Sequence, residues 1–166
     1  NAERALERTL AALAGQSEPV DEVIVVDDGS TDATADIARH LGASVVSTDG
    51  SGLAGAARKA GWDRASGDVV VFLDSDAIPL PGWGAGLRNA LREFPAAIVG
   101  CARTFHGRTA WGWVAHLQCE TPYLPHGQPR KVAFVSSYCV AVPRDVPLRW
   151  DPSYGGEDGV FCADAL

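Results

Sequence analysis

Two apolar runs, each ending in closely spaced carboxylates, restrict the possible folds of this 166-residue chain more than any other feature. The first occupies residues 22–32, EVIVVDDGSTD, and the second occupies residues 69–77, VVVFLDSDA. Continuous runs of Val, Ile, Leu and Phe are typical of strands buried on both faces of a parallel sheet. Ligands of open α/β sheets bind beyond the carboxyl ends of such strands, so the two runs predict one site for a nucleotide and a divalent metal.

The composition predicts a globular domain and argues against two classes of protein. Apolar residues make up 46% of the chain, yet no run approaches the roughly 20 apolar residues that cross a membrane. The net charge of -7 is unfavourable for binding the phosphate backbone of a nucleic acid. No signal peptide is recognised, so a cytoplasmic location is expected, with peripheral membrane association as the alternative.

The four cysteines predict buried thiols rather than a zinc site. They are widely spaced and form no Cys-x-x-Cys pair. Cys101 and Cys139 lie in apolar, strand-like runs, where a small buried thiol is the usual state.

The apolar spacing alternates helices with strands as far as residue 102. It predicts helices over 2–14, 35–41, 56–65 and 83–94, and strands over 22–27, 43–47, 69–74 and 97–102. Ser30 or Thr31 is expected to cap the helix that follows the first strand. Beyond Gly107 the pattern is less regular. It predicts a short helix over 111–118, a strand over 131–142, either continuous or bent at residues 136–137, and a terminal helix from Glu157.

These elements predict a single α/β domain over residues 1–166, with a mostly parallel sheet flanked by helices. Residues 1–102 are expected to form its nucleotide-binding half and residues 103–166 a less regular half that faces the substrate. A doubly wound sheet would begin with a strand, whereas this chain opens on a helix. The first strand is therefore expected to lie outside this chain, which would make the chain a piece of a longer protein.

Asp74-Ser75-Asp76 is the strongest candidate for a metal site. Mg²⁺ and Mn²⁺ prefer oxygen ligands, and Mg²⁺ is typically held by one or two carboxylates together with phosphate oxygens. An isolated Asp-x-Asp is as easily a solvated turn. Its place directly after a buried strand favours a metal site with Asp74 and Asp76 as ligands.

Asp27 and Asp28 are the candidates for contact with a nucleotide base. A carboxylate at a strand end can accept the imide N–H of a uracil or the amino group of another base. Gly29 permits a tight turn and the close approach of a ligand. Residues 30–32 are explained as well by helix capping, because Asp and Ser stabilise the positive end of a helix.

Four motifs follow one another between residues 23 and 83: VIVVDDGSTD, GLAGAARKAG, GDVVVFLDSD and PLPGW. In their order and spacing they resemble the inverting GT-A glycosyltransferases of the family 2 type. The resemblance covers residues 1–83 well and resumes at residues 155–158, GGED, which look like the family's Glu-Asp motif. It implies a single Rossmann-like GT-A domain. Such a domain transfers a sugar from a nucleotide-diphosphate sugar to an acceptor hydroxyl with Mn²⁺ or Mg²⁺.

By position, the resemblance implies a nucleotide-sugar site built from three segments. Asp74 would lie near the ribose or the metal, Asp76 would ligate the metal, and Arg58 would face the nucleotide. Arg58 is explained equally well as a surface helix residue paired with an acid. Lys59 stands where the family has Asn, which leaves that position without an implied role. The other implied contacts to the nucleotide sugar are Asp27, Asp28, Gly29, Ser30 and Ser75.

Asp158 matches the family's catalytic base, and Glu157 would orient the acceptor. Inversion is a direct displacement at the anomeric carbon, which needs a base for the acceptor proton and a Lewis acid for the departing diphosphate. The alternative is that both carboxylates only cap the last helix. The Gln-x-x-Arg-Trp signature of processive synthases is absent from the chain, which favours non-processive transfer.

Other functions remain open at the level of sequence. A retaining GT-A transferase would share the fold and the Asp-x-Asp, and a non-catalytic nucleotide-sugar-binding module would bind without turnover. No glycine-rich phosphate loop supports a nucleotidyltransferase, and the missing Gly-x-Gly-x-x-Gly pattern weakens a dehydrogenase. A UDP-sugar is expected as donor more than a GDP-sugar. The acceptor stays open among a saccharide, a lipid carrier, a natural product and a peptide.

Overall fold

The computed structural model describes residues 1–50, 52–95, 98–104, 109–111, 113–114, 130, 132 and 135–148. Helices and strands alternate in the first half of the chain, as the apolar spacing predicts. In chain order the elements are α1 (Glu3–Ala14), β1 (Ile24–Asp27), α2 (Thr34–His40), β2 (Ser44–Ser47), α3 (Ala54–Arg64), β3 (Val69–Leu73), α4 (Trp83–Glu93), β4 (Val99–Gly100) and β5 (Cys139–Pro143).

The strands pair in two groups. β1 and β2 are parallel, with Ile24 opposite Ser44 and Asp27 opposite Ser47. β5 lies between β3 and β4 and runs antiparallel to both. Parallel pairing therefore joins the two strands connected by α2, since parallel neighbours need such a crossover. The strand from the second half of the chain adds the antiparallel pairs.

The first hydrophobic core lies beneath α1. Leu6, Leu10 and Leu13 recur every three or four residues, so they share one face of the helix, and all three are buried. They pack with Ala38 of α2 and with Ala43, and partly buried side chains of β1, β2 and β3 join them. This core holds α1 and α2 against β1 and β2. Asp27 and Asp28, the first acidic cluster, lie at the end of β1.

The second core lies on the three-stranded group. Val70 and Phe72 of β3 share it with Val140 and Val142 of β5, because residues two apart on a strand point to the same face. Trp62 of α3 stacks on Phe72 with 6.2 Å between ring centroids. All five residues of β5 are buried, so this strand is the centre of its group.

The end of α1 and the start of α4 lie close together. The Gln16 amide donates to a carbonyl of the loop before α4 at 3.1 Å and accepts the Gly84 N–H at 3.3 Å. A Cβ on Gly84 would lie 2.6 Å from the carbonyl oxygen of Glu18, so a glycine is required there. The Trp83 indole N–H points at Cys139 Sγ at 3.3 Å. The PLPGW segment thus docks α4 on both α1 and β5.

The start of α2 differs from the prediction. The helix begins at Thr34, and neither Ser30 nor Thr31 caps it. The Thr34 hydroxyl and N–H both donate to Asp32 Oδ1, at 2.5 and 3.1 Å, and the hydroxyl bond lowers the pKa of the Asp32 carboxyl. Thr31 instead donates its N–H to Asn1 Oδ1 at 2.8 Å. The helix starts too late for the earlier hydroxyls to reach it, so the carboxylate of Asp32 takes their place.

Two strands are shorter than predicted. β4 has two residues instead of six, and among the described strands it pairs with β5 alone. A Cβ on Gly100 would lie 2.8 Å from Val135 Cγ1, so the chain is crowded where β4 ends. β5 begins only at Cys139, after a turn at 137–138. The predicted helix from Glu157 and residues 115–118 of the predicted short helix lie outside the described residues.

Candidate nucleotide and metal site

The first acidic cluster forms the turn that leaves β1. Asp27 ends the strand, and its Oδ1 accepts the N–H of Ser30 at 3.1 Å. Its carbonyl accepts the N–H of Thr48 at 3.1 Å, which extends the parallel ladder past β2. Asp27 therefore shapes the turn, and Ser30 contributes to it through its backbone.

Asp28 holds the segment that follows β2. Its Oδ1 accepts the Thr48 hydroxyl and the Gly50 N–H, the latter at 3.1 Å, and its Oδ2 accepts the Gly52 N–H at 2.7 Å. Hydrogen bonds to a charged acceptor are stronger than neutral ones. The carboxylate expected to meet a nucleotide base therefore also organises the loop beside it.

Gly29 brings these two segments into contact. Its φ of 73° lies in the left-handed region, and a Cβ would lie 3.0 Å from Gly50 Cα. Gly50 has a φ of 75° as well. The neighbour that approaches Gly29 in the structure is the loop after β2, and the approach of a ligand to Gly29 stays a prediction.

The second acidic cluster forms the turn that leaves β3. The Asp74 N–H donates to the Tyr138 carbonyl at 2.9 Å, and the Ala77 N–H donates back to the Asp74 carbonyl at 3.0 Å. The Ser75 carbonyl accepts the hydroxyl of Thr9 at 2.9 Å. The backbone of the turn is thus held by residue 138, just before β5, on one side and by α1 on the other.

Arg58 of α3 lies beside the second acidic turn. Its Nη2 lies 3.5 Å from Asp74 Oδ1, and its side chain is 17% exposed against 45% for Asp74. Gly61 of the same helix sits against Val26 of β1, where a Cβ would lie 3.1 Å from Val26 Cγ2. Arg58 is therefore paired with an acid, as one of the two interpretations expects, and its role in facing a nucleotide stays a prediction.

Lys59, which stands where the family has Asn, forms an ion pair within α3. Its Nζ lies 2.5 Å from Asp63 Oδ2, one helical turn further along α3. Both side chains are about half exposed, so this pair is of the kind that stabilises a helix only by a few tenths of a kcal/mol.

The donor set of the second turn fits a hard divalent cation. Asp76 is exposed, and the Asp74 carboxylate is half exposed beside Arg58. Within the described residues no group of three or more His, Cys, Asp or Glu side chains is gathered as a metal site. Two carboxylates on one turn suit Mg²⁺ or Mn²⁺ when phosphate oxygens complete the coordination.

The sequence assigned no role to three residues that support the site, namely Thr9, Thr48 and Tyr138. Thr9 is a buried polar residue on the apolar face of α1, and that misfit is a signal that could have been used. Thr48 and Tyr138 contact residues that are distant in the sequence, so no local sequence pattern could have indicated them. The predicted catalytic pair, Glu157 and Asp158, lies outside the described residues.

The chain matches one protein family along most of its length. The family model described as Glycosyl transferase family 2 aligns with residues 1–147. The chain belongs to this family. The family 2 membership expected from the acidic motifs is confirmed.

Three similar proteins illustrate the match. EpsH of Bacillus subtilis (strain 168), named as a candidate glycosyltransferase, is 36% identical over 130 residues, covering 74% of this chain and 38% of EpsH. Glucosyl-3-phosphoglycerate synthase from Mycobacterium tuberculosis, solved with Mn²⁺ and UDP-glucose, is 30% identical with a TM-score of 0.65, covering 99% and 64%. TarS 1-349 of S. aureus has a TM-score of 0.72 at 22% identity, covering 99% and 52%.

These likenesses confirm the α/β fold of GT-A type. The chain spans less than two thirds of the length of each of the three proteins. No helix within the described ranges is long and apolar enough to cross a bilayer.

Proposed function

We propose that this chain carries the donor site of a glycosyltransferase that uses a nucleotide-diphosphate sugar and a divalent cation. A sugar would pass with inversion to an acceptor hydroxyl. Residues 1–102 would form the nucleotide-sugar half of a single domain, and residues 103–166 the acceptor and catalytic half.

The observation that best supports this proposal is the turn at Asp74 and Asp76. Thr9 and Tyr138 hold its backbone from two sides, and Arg58 stands 3.5 Å from Asp74. Two carboxylates on one held turn beside a cation suit a metal-bound diphosphate, because the metal and the arginine would share its negative charge. When bound, Mn²⁺ or Mg²⁺ would supply Lewis-acid stabilisation of the departing diphosphate.

The first acidic turn would bind the base. Asp28, or Asp27 beside it, would accept an N–H of the base, and the glycine contact between residues 29 and 50 would let the ring approach the backbone. Both oxygens of the Asp28 carboxylate already accept hydrogen bonds from the loop after β2, so a base would compete with these bonds or add to them. We propose UDP as the preferred nucleotide, supported by the UDP-glucose held by the 30% identical synthase.

Asp158 would act as the general base and Glu157 would orient the acceptor. The carboxylate of Asp158 would take the proton from the acceptor oxygen as that oxygen attacks the anomeric carbon. This assignment is supported by the GGED motif of residues 155–158 alone.

Calorimetry with UDP, GDP and ADP, each with Mn²⁺ and then with EDTA, tests the donor site. We expect UDP to bind most tightly and to lose most of its affinity in EDTA. Equal binding of all three nucleotides, or equal binding with and without metal, would contradict the proposal.

Product analysis tests the reaction itself. With the matching UDP-sugar and a hydroxyl acceptor, the anomeric configuration of the product should be opposite to that of the donor. Retention would indicate a retaining transferase. Metal-dependent binding without turnover, in a protein that includes the neighbouring sequence, would indicate a binding module.

A further inference from the structure

Cys101 and Cys139 face each other across the β4–β5 pair. Val99 lies opposite Ala141 and Gly100 opposite Val140, so the same register places Cys101 opposite Cys139. The Cys101 N–H donates to the Cys139 carbonyl at 3.1 Å, which continues the ladder one residue past β4. Directly opposite residues point to the same face with their Cβ atoms about 4.5–5.5 Å apart.

This spacing is close to that of a disulfide. The Cα atoms of a hydrogen-bonded antiparallel pair lie about 5.5 Å apart, within the usual range of about 4.4–6.8 Å for disulfides. Both cysteines are reduced in the structure. Closing a bond between them would need a small adjustment of the two side chains. Cβ atoms joined by a disulfide lie about 3.5–4.5 Å apart, so closing a bond would also need the short β4 and β5 to move slightly closer together at this position.

The backbone around Cys101 is anchored to the turn before β5. The Tyr138 hydroxyl donates to the Cys101 carbonyl, and the Arg103 guanidinium stacks over the Tyr138 ring at 4.0 Å. These contacts keep the two cysteines in register beyond the short β4. The position of Cys101 opposite Cys139 therefore does not depend only on the backbone hydrogen bond between them.

The two thiols have different surroundings. Cys139 is 3% exposed and receives the indole N–H of Trp83, whereas Cys101 is partly exposed. A hydrogen bond from the Cys139 thiol lowers the pKa of Cys101, and the same bond together with burial raises the pKa of Cys139. Cys101 is thus the accessible, more reactive sulfur, and Cys139 stands behind it as the second thiol.

We propose that Cys101 and Cys139 are a dithiol that hydroperoxides oxidise to a reversible disulfide. The Cys101 thiolate attacks a peroxide oxygen, the O–O bond breaks, and the other oxygen leaves as water after taking a proton. The sulfenic acid on Cys101 is then attacked by the Cys139 sulfur, which forms the S–S bond and releases a second water. Two thiols lose two hydrogens and two electrons, and one hydrogen peroxide becomes two waters.

The site lies next to the candidate metal turn without being part of it. Cys139 follows Tyr138, whose carbonyl holds the N–H of Asp74. The oxidation chemistry needs neither a nucleotide nor a metal, so its test is independent of the proposed transferase function.

The test uses the full chain carrying Cys119→Ser and Cys162→Ser, so that only the facing pair remains. After graded hydrogen peroxide, thiols are blocked without reduction and the protein is digested and analysed by mass spectrometry. We expect the Cys101 and Cys139 thiols to disappear together, a cross-linked peptide containing both, and recovery of both thiols with dithiothreitol. Independent oxidation without the cross-linked peptide, or no oxidation in the folded chain, would overturn the proposal.

Single variants in the same background assign the order of events. In Cys139→Ser, a dimedone adduct should accumulate on Cys101, because no second thiol can consume the sulfenic acid. In Cys101→Ser, Cys139 should stay reduced at the same peroxide dose, because it is buried. Accumulation of dimedone on Cys139 with Cys101 untouched would contradict the proposed order. If either variant does not fold, as judged by circular dichroism, the cross-link in the double-serine protein still decides the proposal.

Discussion

The two aspartates of the candidate metal turn differ in their surroundings. Asp74 has its backbone bound to Tyr138 and its carboxylate beside Arg58, whereas Asp76 is exposed. Asp76 can therefore be changed with little effect on folding. This makes Asp76 the sharper probe of metal binding.

Asp76→Asn should weaken binding of UDP in the presence of Mn²⁺ by at least about tenfold, the range seen even for residues that only support a ligand. The amide keeps the size of the side chain and removes one charged oxygen donor. Calorimetry with and without EDTA measures the effect. Asp36→Asn, on an exposed residue of α2, is the control for loss of one charge. Equal loss in both variants would remove Asp76 from the metal site.

Asp158→Asn should leave UDP binding nearly unchanged and lower turnover by about 10² or more, as for the loss of a general base. Turnover and nucleotide affinity are measured on the same preparation. Glu157→Gln should have a smaller effect on turnover and a larger one on the apparent affinity for the acceptor. Normal turnover in Asp158→Asn would exclude that residue as the base.

At the scale of elements, the loop after β2 depends on a carboxylate from the turn after β1. Asp28→Asn should increase hydrogen exchange of the Gly50 and Gly52 amides by about tenfold or more, because bonds to a charged acceptor contribute roughly 1.5–3 kcal/mol. Asp27→Asn, one residue earlier, should spare those amides and speed exchange at Ser30. Unchanged protection in Asp28→Asn would mean that the loop is ordered by other contacts.

The steric contact between a side chain at position 29 and Gly50 can be measured separately from the backbone strain at position 29. Gly29→Ala meets both a positive φ and the Gly50 Cα, whereas Gly42→Ala meets a φ of 83° with nothing within 4 Å. Strain alone should lower the free energy of unfolding by about 1–2 kcal/mol in each variant. Gly29→Ala should lose more than Gly42→Ala in urea denaturation. Equal losses of unfolding free energy in the two variants would show that the contact between the new Cβ and Gly50 has no energetic cost.

Across the whole molecule, local patterns predicted the elements better than their assembly. The spacing of Leu6, Leu10 and Leu13 was enough for α1, because one helix face must be buried. The position of β5 could not be read from its own residues, since Val70 of β3 meets Val142 far along the chain. The Asp-x-Asp turn was recognised by its motif, but the supports of that turn come from distant segments.

The junction of α1 and α4 also combines a local motif that the sequence predicted with a long-range contact that it did not. The PLPGW motif was recognised, while the reason for its following glycine appears only when Gly84 meets the Glu18 carbonyl. This approach, with the Gln16 side chain beside it, joins the core beneath α1 to the segment that leaves the candidate metal turn. The stability of the molecule should therefore be sensitive to a single methyl group at that junction.

Gly84→Ala should lower the free energy of unfolding by about 1–3 kcal/mol, the range for overpacking a close contact, because its Cβ would lie 2.6 Å from a backbone oxygen. Gly86→Ala, in the same helix with nothing within 4 Å, should instead raise it by about 0.5–1 kcal/mol through helix propensity. Urea denaturation of both variants measures the difference. A stabilised Gly84→Ala would mean that the start of α4 and the segment after α1 can move apart without cost.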